Sequence, residues 1–108
     1  MIETLGDILR NNAYKFPQEI AYIYGDRRIS FREHHDRAKR LASALYRIGL
    51  RPQDRLSILS QNSMEFMEIF GACELAGYIA ATVNFRLAAP EIKYILNDSS
   101  PRILIFEK

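Results

Sequence analysis

Two short polar stretches carry the side chains best suited to bind something. Ser60-Gln61-Asn62-Ser63 follows the apolar run Arg55 to Leu59 and precedes a longer apolar segment. Placed just past a strand end, it offers hydroxyls and free backbone N–H groups to an anion. The same residue types also start helices, and capping by Asn62 or Ser60 is the first reading of this stretch. Asn84-Phe85-Arg86 occupies the equivalent place after the next apolar run. The Arg86 guanidinium suits either a carboxylate or phosphate ligand, or a structural pair with an acid, and the sequence leaves both open. Ser60, Asn62, Ser63 and Arg86 are therefore the candidate anion-site residues.

Other chemistries find less support. The five glycines (Gly6, Gly25, Gly49, Gly71, Gly77) form neither a G-x-G-x-x-G fingerprint nor a P-loop, so no backbone cradle for a nucleotide phosphate is evident. His34-His35 is the only histidine pair. Adjacent helical residues point about 100° apart and do not readily share a metal. We expect His35 to flank the core and His34 to face solvent. Cys73, the single cysteine, sits in an apolar segment and reads as a small core hydrophobe; it excludes an internal disulfide and fits a reducing cytosol. Residues 27–55 hold nine basic side chains against three acids, within a net charge of only +2. Glu33 with Arg37 and Asp36 with Arg40 have the spacing of helical ion pairs, and no aromatic residue interleaves the cations to stack a base. That run reads as a solvated face or a protein contact, not as a nucleic-acid site.

The elements that must position these residues follow from periodicity and punctuation. Thr4 caps a helix running to about Lys15, which Phe16-Pro17 stops. Ile20–Tyr24 and Arg28–Ser30 form a hairpin around Gly25-Asp26-Arg27. Ser30 and Glu33 have the spacing of a reciprocal capping box, opening a helix that Gly49 ends; Phe31, Ala38, Leu41, Ala42, Leu45 and Ile48 are its apolar stripe. Arg55 to Leu59 is a strand. The helix after it, to about Ala76, is apolar almost all round and so is buried on more than one side. Gly77 stops it, a short apolar strand follows, Pro90 opens a further helix, and Arg102–Phe106 is a last strand. Strand, helix, strand, helix, strand gives two crossovers, expected to be parallel and right-handed.

The 108 residues suffice for one small segment, and 48% hydrophobic residues allow a packed core. No stretch reads as a signal peptide, and no apolar run approaches the roughly 20 residues of a membrane helix.

Taken in order, these pieces resemble the N-terminal part of the AMP-forming acyl-CoA synthetases, in the adenylate-forming ligase superfamily. Thr4 to Leu9, Ala13 and Phe16-Pro17 resemble the opening helix of that family. Arg28-Ile29-Ser30-Phe31-Arg32-Glu33 is similar to its motif Leu-Thr-Tyr-x-Glu-Leu, with His34 in place of the final Leu. Asp54-Arg55-Leu56-Ser57-Ile58 is similar to its Gly-Asp-Arg-Val segment, with Gln53 replacing Gly. Asn62 to Phe66, and Leu75-Ala76-Gly77 through Asn84-Phe85-Arg86-Leu87, follow as expected, with Thr82 where Pro is usual. Glu91 and Leu96 to Ser99 complete the set. Asn-Phe-Arg-Leu suggests a carboxylic acid:CoA ligase more than a peptide-synthetase module.

The resemblance implies an α/β fold. Residues 1–108 would be the N-terminal portion of a doubly wound, mostly parallel sheet with flanking helices, preceded by a β-hairpin and incomplete relative to the family. It implies a two-step reaction, in which a carboxylate attacks ATP to give an acyl-adenylate and pyrophosphate, and CoA thiol then displaces AMP. Magnesium would neutralise phosphate charge. The family's phosphate loop, adenine segment, ribose-binding Asp and catalytic Lys have no counterpart here. No catalytic, cofactor-binding or metal residue is therefore assigned, and the chain is expected to be inactive alone, in the cytoplasm. Its expected partner is the remainder of the ligase, or a second copy through exposed apolar surface. The alternatives are a truncated paralogue acting as an interaction module, and a small anion- or nucleotide-binding module.

Overall fold

A computed structural model describes residues 4–60, 63–84 and 86–106. The elements run α1 (Leu5–Lys15), β1 (Ile20–Tyr24), β2 (Arg27–Ser30), α2 (Phe31–Arg47), β3 (Arg55–Leu59), α3 (Met64–Ala76), β4 (Ile79–Val83), α4 (Ala89–Ser99) and β5 (Ile103–Phe106). β1 and β2 form an antiparallel hairpin, and β4-β3-β5 form a parallel sheet. The fold is thus mixed α/β: a small parallel sheet with flanking helices, plus a hairpin.

β3 is the centre of the sheet and is buried on both faces, as a strand sandwiched between helix layers must be. Leu56, Ser57 and Ile58 are all fully buried. Leu56 and Ile58 join Ala42, Leu45, Leu50, Ile69, Ala72, Cys73 and Tyr78 in one core cluster. Burying a side chain such as Leu56 or Ile58 is worth roughly 1.5–3 kcal/mol. Ser57 lies between them and points to the opposite face. α1, α2 and α3 pack on one another, whereas α4 packs against β4. The Tyr78 hydroxyl, just before β4, donates to the Ala42 carbonyl of α2 at 3.0 Å, tying the sheet to the helix layer.

Local signals explain the helix ends. Thr4 and Asp7 make a reciprocal capping box at α1. α3 stops at Gly77, whose φ of 77° lies in the left-handed region that glycine enters at little cost. Ala88 offers α4 no side-chain cap, and Glu91 reaches back to the Ala88 N–H at 3.4 Å. Two glycines allow close approach. A Cβ at Gly6 would lie 2.4 Å from the Glu74 carbonyl oxygen, and one at Gly71 would lie 2.8 Å from the Ala38 Cβ.

Three expectations are corrected. His34 is buried and His35 is half-buried, the reverse of the expected arrangement. His34 lies three residues after Phe31 and four before Ala38, on the apolar stripe itself. The Ser30–Glu33 box is half made: Ser30 Oγ accepts from the Glu33 N–H at 3.1 Å. Ser30 also ends β2, in register with Ile20, and the Glu33 carboxylate turns instead to Arg27 at 3.5 Å and Arg37 at 3.9 Å. Arg37 makes its short bond across the helix pair, to Glu68 at 2.5 Å. Asp36 lies 3.8 Å from His35 Nδ1, and among the described residues no ion pair joins it to Arg40. Among the described residues no helix is long and apolar enough to cross a membrane.

Candidate functional site

Strand order β4-β3-β5 defines where a ligand crevice should lie. The chain leaves β3 on one side to reach β4, then returns to the other side of β3 to place β5. Neighbouring connections diverge between β3 and β5, and in open α/β sheets the crevice outside the carboxyl ends of such strands is the usual binding position. A cavity of about 350 Å³ lies at that position. Its walls are Ile58 of β3, Phe66 and Ile69 of α3, and Ile105 and Phe106 of β5, with Ser60, Ser63 and Glu65 as its polar groups.

The structure brings Ser60 and Ser63 together around this cavity. Ser63 is the N-cap of α3: its Oγ accepts the Phe66 N–H at 3.2 Å. The expectation had given capping to Asn62 or Ser60; Asn62 lies outside the described residues. Arg86 is exposed, follows β4 on the far side of β3, and does not line the cavity. Its backbone N–H donates to Asn84 Oδ1 at 3.0 Å, in an Asx turn. Glu65, which the sequence reading passed over, stands in the first turn of α3 and lines the cavity. Its position two residues beyond the strand-end polar stretch was the signal available. A carboxylate there already complements the helix dipole and repels an incoming anion. The cavity therefore suits an apolar group better than a phosphate.

Burial and the neighbouring Glu74 carboxylate push the Cys73 thiol up to about 11, which keeps it protonated and inert. Burial also raises Glu74. No group of three or more His, Cys, Asp or Glu among the described residues is arranged to hold a metal ion.

Fold and crevice define a mixed α/β segment with a strand-end cavity, and comparison with known proteins gives its family. The model of the family "AMP-binding enzyme" matches residues 9–108. The fatty acid–[acyl-carrier-protein] ligase ScoC of Streptomyces coeruleorubidus is 34% identical over 98% of this chain and 20% of its own length. The long-chain-fatty-acid–CoA ligase FadD13 of Mycobacterium tuberculosis is 34% identical over 97% of this chain and 21% of its own. Among solved structures, a Rhodopseudomonas palustris protein described as a long-chain-fatty-acid CoA ligase superposes with a TM-score of 0.92 at 42% identity, over 96% of this chain and 26% of that one. The O-succinylbenzoate coenzyme A synthetase of Bacillus subtilis, in complex with AMP, gives 0.90 at 31% identity, over 98% and 27%. The chain belongs to the AMP-binding enzyme family of AMP-forming ligases. It spans about a fifth of the length of the curated relatives it matches.

Proposed function

We propose that residues 1–108 form one N-terminal segment of the large domain of an ATP-dependent carboxylic acid:CoA ligase acting through an acyl-adenylate. The segment acts as scaffold. It builds three parallel strands and packs α2 and α3 on them, with α1 against those two helices, while ATP, CoA and magnesium are engaged by other parts of the ligase. The observation that carries this reading is the match over residues 9–108 together with a superposition that covers nearly the whole chain. The resemblance is in packing residues and turns, and the crevice at the strand ends presents a carboxylate, not a phosphate cradle.

The reading predicts that the purified chain catalyses no ATP–pyrophosphate exchange with any of a panel of short, long and aromatic carboxylates. Calorimetric titration with ATP, AMP and CoA should release no heat beyond dilution. Robust exchange, or saturable nucleotide binding that Ser60→Ala with Ser63→Ala abolishes, would overturn it in favour of the nucleotide-binding module.

A second reading, association through apolar surface, is favoured by the sheet edge. β5 has a hydrogen-bonded neighbour on one side only, and Phe106 at its end is 58% exposed. An apolar edge of this kind is a template for another strand. The expected partner strand comes from the remainder of the ligase; a second copy would show as a concentration-dependent rise in sedimentation coefficient.

A further inference from the structure

We propose that the contact between α2 and α3 at His34 is an acid-sensitive joint, held shut at neutral pH and opened when His34 takes a proton. The motif that this segment resembles has Leu at this place. The structure shows what the exchange does. His34 is 7% exposed, and its ring lies so close to α3 that a Cβ at Gly71 would sit 3.1 Å from Cε1 and 3.2 Å from Nε2. Tyr22 of β1 meets the ring edge-on, with centroids 5.3 Å apart. Among the described residues, His34 Nδ1 and the Tyr22 hydroxyl are both buried without a hydrogen-bond partner.

A neutral imidazole fits this slot as a flat, nearly apolar ring. An imidazolium does not: it carries two N–H donors and a charge, and needs water or acceptors that the slot does not supply. The charged and titratable groups around it come from four elements. Glu68 of α3 favours the charged ring, but its carboxylate is taken by Arg37 of α2 at 2.5 Å. His35 of α2 disfavours the charged ring. Tyr22 of β1, whose own titration burial pushes upward, is flanked by Glu33 and Arg37 of α2 and Arg27 of β2. Burial outweighs Glu68, and His34 stays neutral below the ordinary histidine value of 6.5.

The sign of the effect follows. The open form binds a proton at the ordinary value, and the closed form resists it. The closed joint therefore keeps its full stability above pH 6.5. It weakens as the pH falls through 6.5, until the closed-form value is reached.

The only cysteine of the chain supplies a readout. Cys73 is 5% exposed and lies two residues beyond Gly71 on α3. Its reaction with dipyridyl disulfide, divided by the rate for the urea-unfolded chain at the same pH, measures opening. For wild type the ratio should rise from pH 7.5 to 5.5, by up to about ten-fold, the limit set by a free imidazole at 6.5. In His34→Leu the rise should disappear. An unchanged ratio in wild type, or the same rise in His34→Leu, overturns the proposal. Should His34→Leu fail to fold, proton NMR of wild type decides. His34 must titrate below the ordinary histidine value of 6.5, and a midpoint at or above that value refutes the joint.

Discussion

Substituting Gly71 by alanine puts a methyl group where α2 and α3 meet. The added Cβ would stand 2.8 Å from the Ala38 Cβ and little more than 3 Å from the His34 ring. Carbon atoms pack best about 3.5–4.0 Å apart, so the helices must separate by about 1 Å or the ring must leave its slot. Overpacking of this order costs about 1–3 kcal/mol. Alanine returns about 1 kcal/mol of helix propensity relative to glycine. The expected net loss is up to about 2 kcal/mol, or at most roughly 8–16 °C in melting temperature for a chain of this size. Far-UV circular dichroism against temperature and urea measures it. Restoring space from the other side provides the control: in an Ala38→Gly background the same substitution should cost less by at least about 0.5 kcal/mol, as expected for residues in contact. A Gly71→Ala chain at least as stable as wild type, or a penalty indifferent to residue 38, would refute the close helix contact.

Further outcomes follow from single features. Gln53 has φ 71°, the left-handed region, where the resembled motif has glycine. An L-residue there loses roughly 1–2 kcal/mol and glycine's extra unfolded freedom takes back about 0.5–1, so Gln53→Gly should raise stability by about 0.5–1 kcal/mol in urea titration. A lower midpoint would contradict the strain. Tyr78→Phe removes the 3.0 Å bond to the Ala42 carbonyl and should cost about 1 kcal/mol with no loss of helix signal. Ser57 is fully buried with its hydroxyl unpartnered, so Ser57→Ala should be neutral or stabilising by up to about 1 kcal/mol; a loss above that would show the hydroxyl bonded. The Cys73 thiol, at about 11, should resist iodoacetamide at pH 8 until the chain is unfolded.

Element types and order were legible because each apolar run ends in a strong stop: Pro17, Gly25, Gly49, Gly77 and Pro90. Strand order was not, since no local feature says on which side of β3 the last strand pairs, and the crevice follows from that order. Ser60 and Ser63 were found because strand-end polar residues before a helix have few other uses. Glu65 was missed because a single acid on an otherwise apolar helix reads as part of its polar face. His34 was misplaced because its polar type outweighed its position on the Phe31–Ala38 stripe, and the Arg37–Glu68 pair joins residues 31 apart in sequence, beyond any helical spacing rule.

The central claim, that this segment supplies the scaffold of an AMP-forming ligase, is tested most directly by exchange. The matched N-terminal segment of the Mycobacterium tuberculosis long-chain-fatty-acid–CoA ligase is replaced by residues 1–108, and fatty-acid-dependent ATP–pyrophosphate exchange is measured. The account predicts a folded chimera whose exchange remains within about ten-fold of the parent enzyme, a loss of no more than about 1.4 kcal/mol in transition-state stabilisation. A chimera that melts cooperatively yet exchanges no pyrophosphate would contradict it.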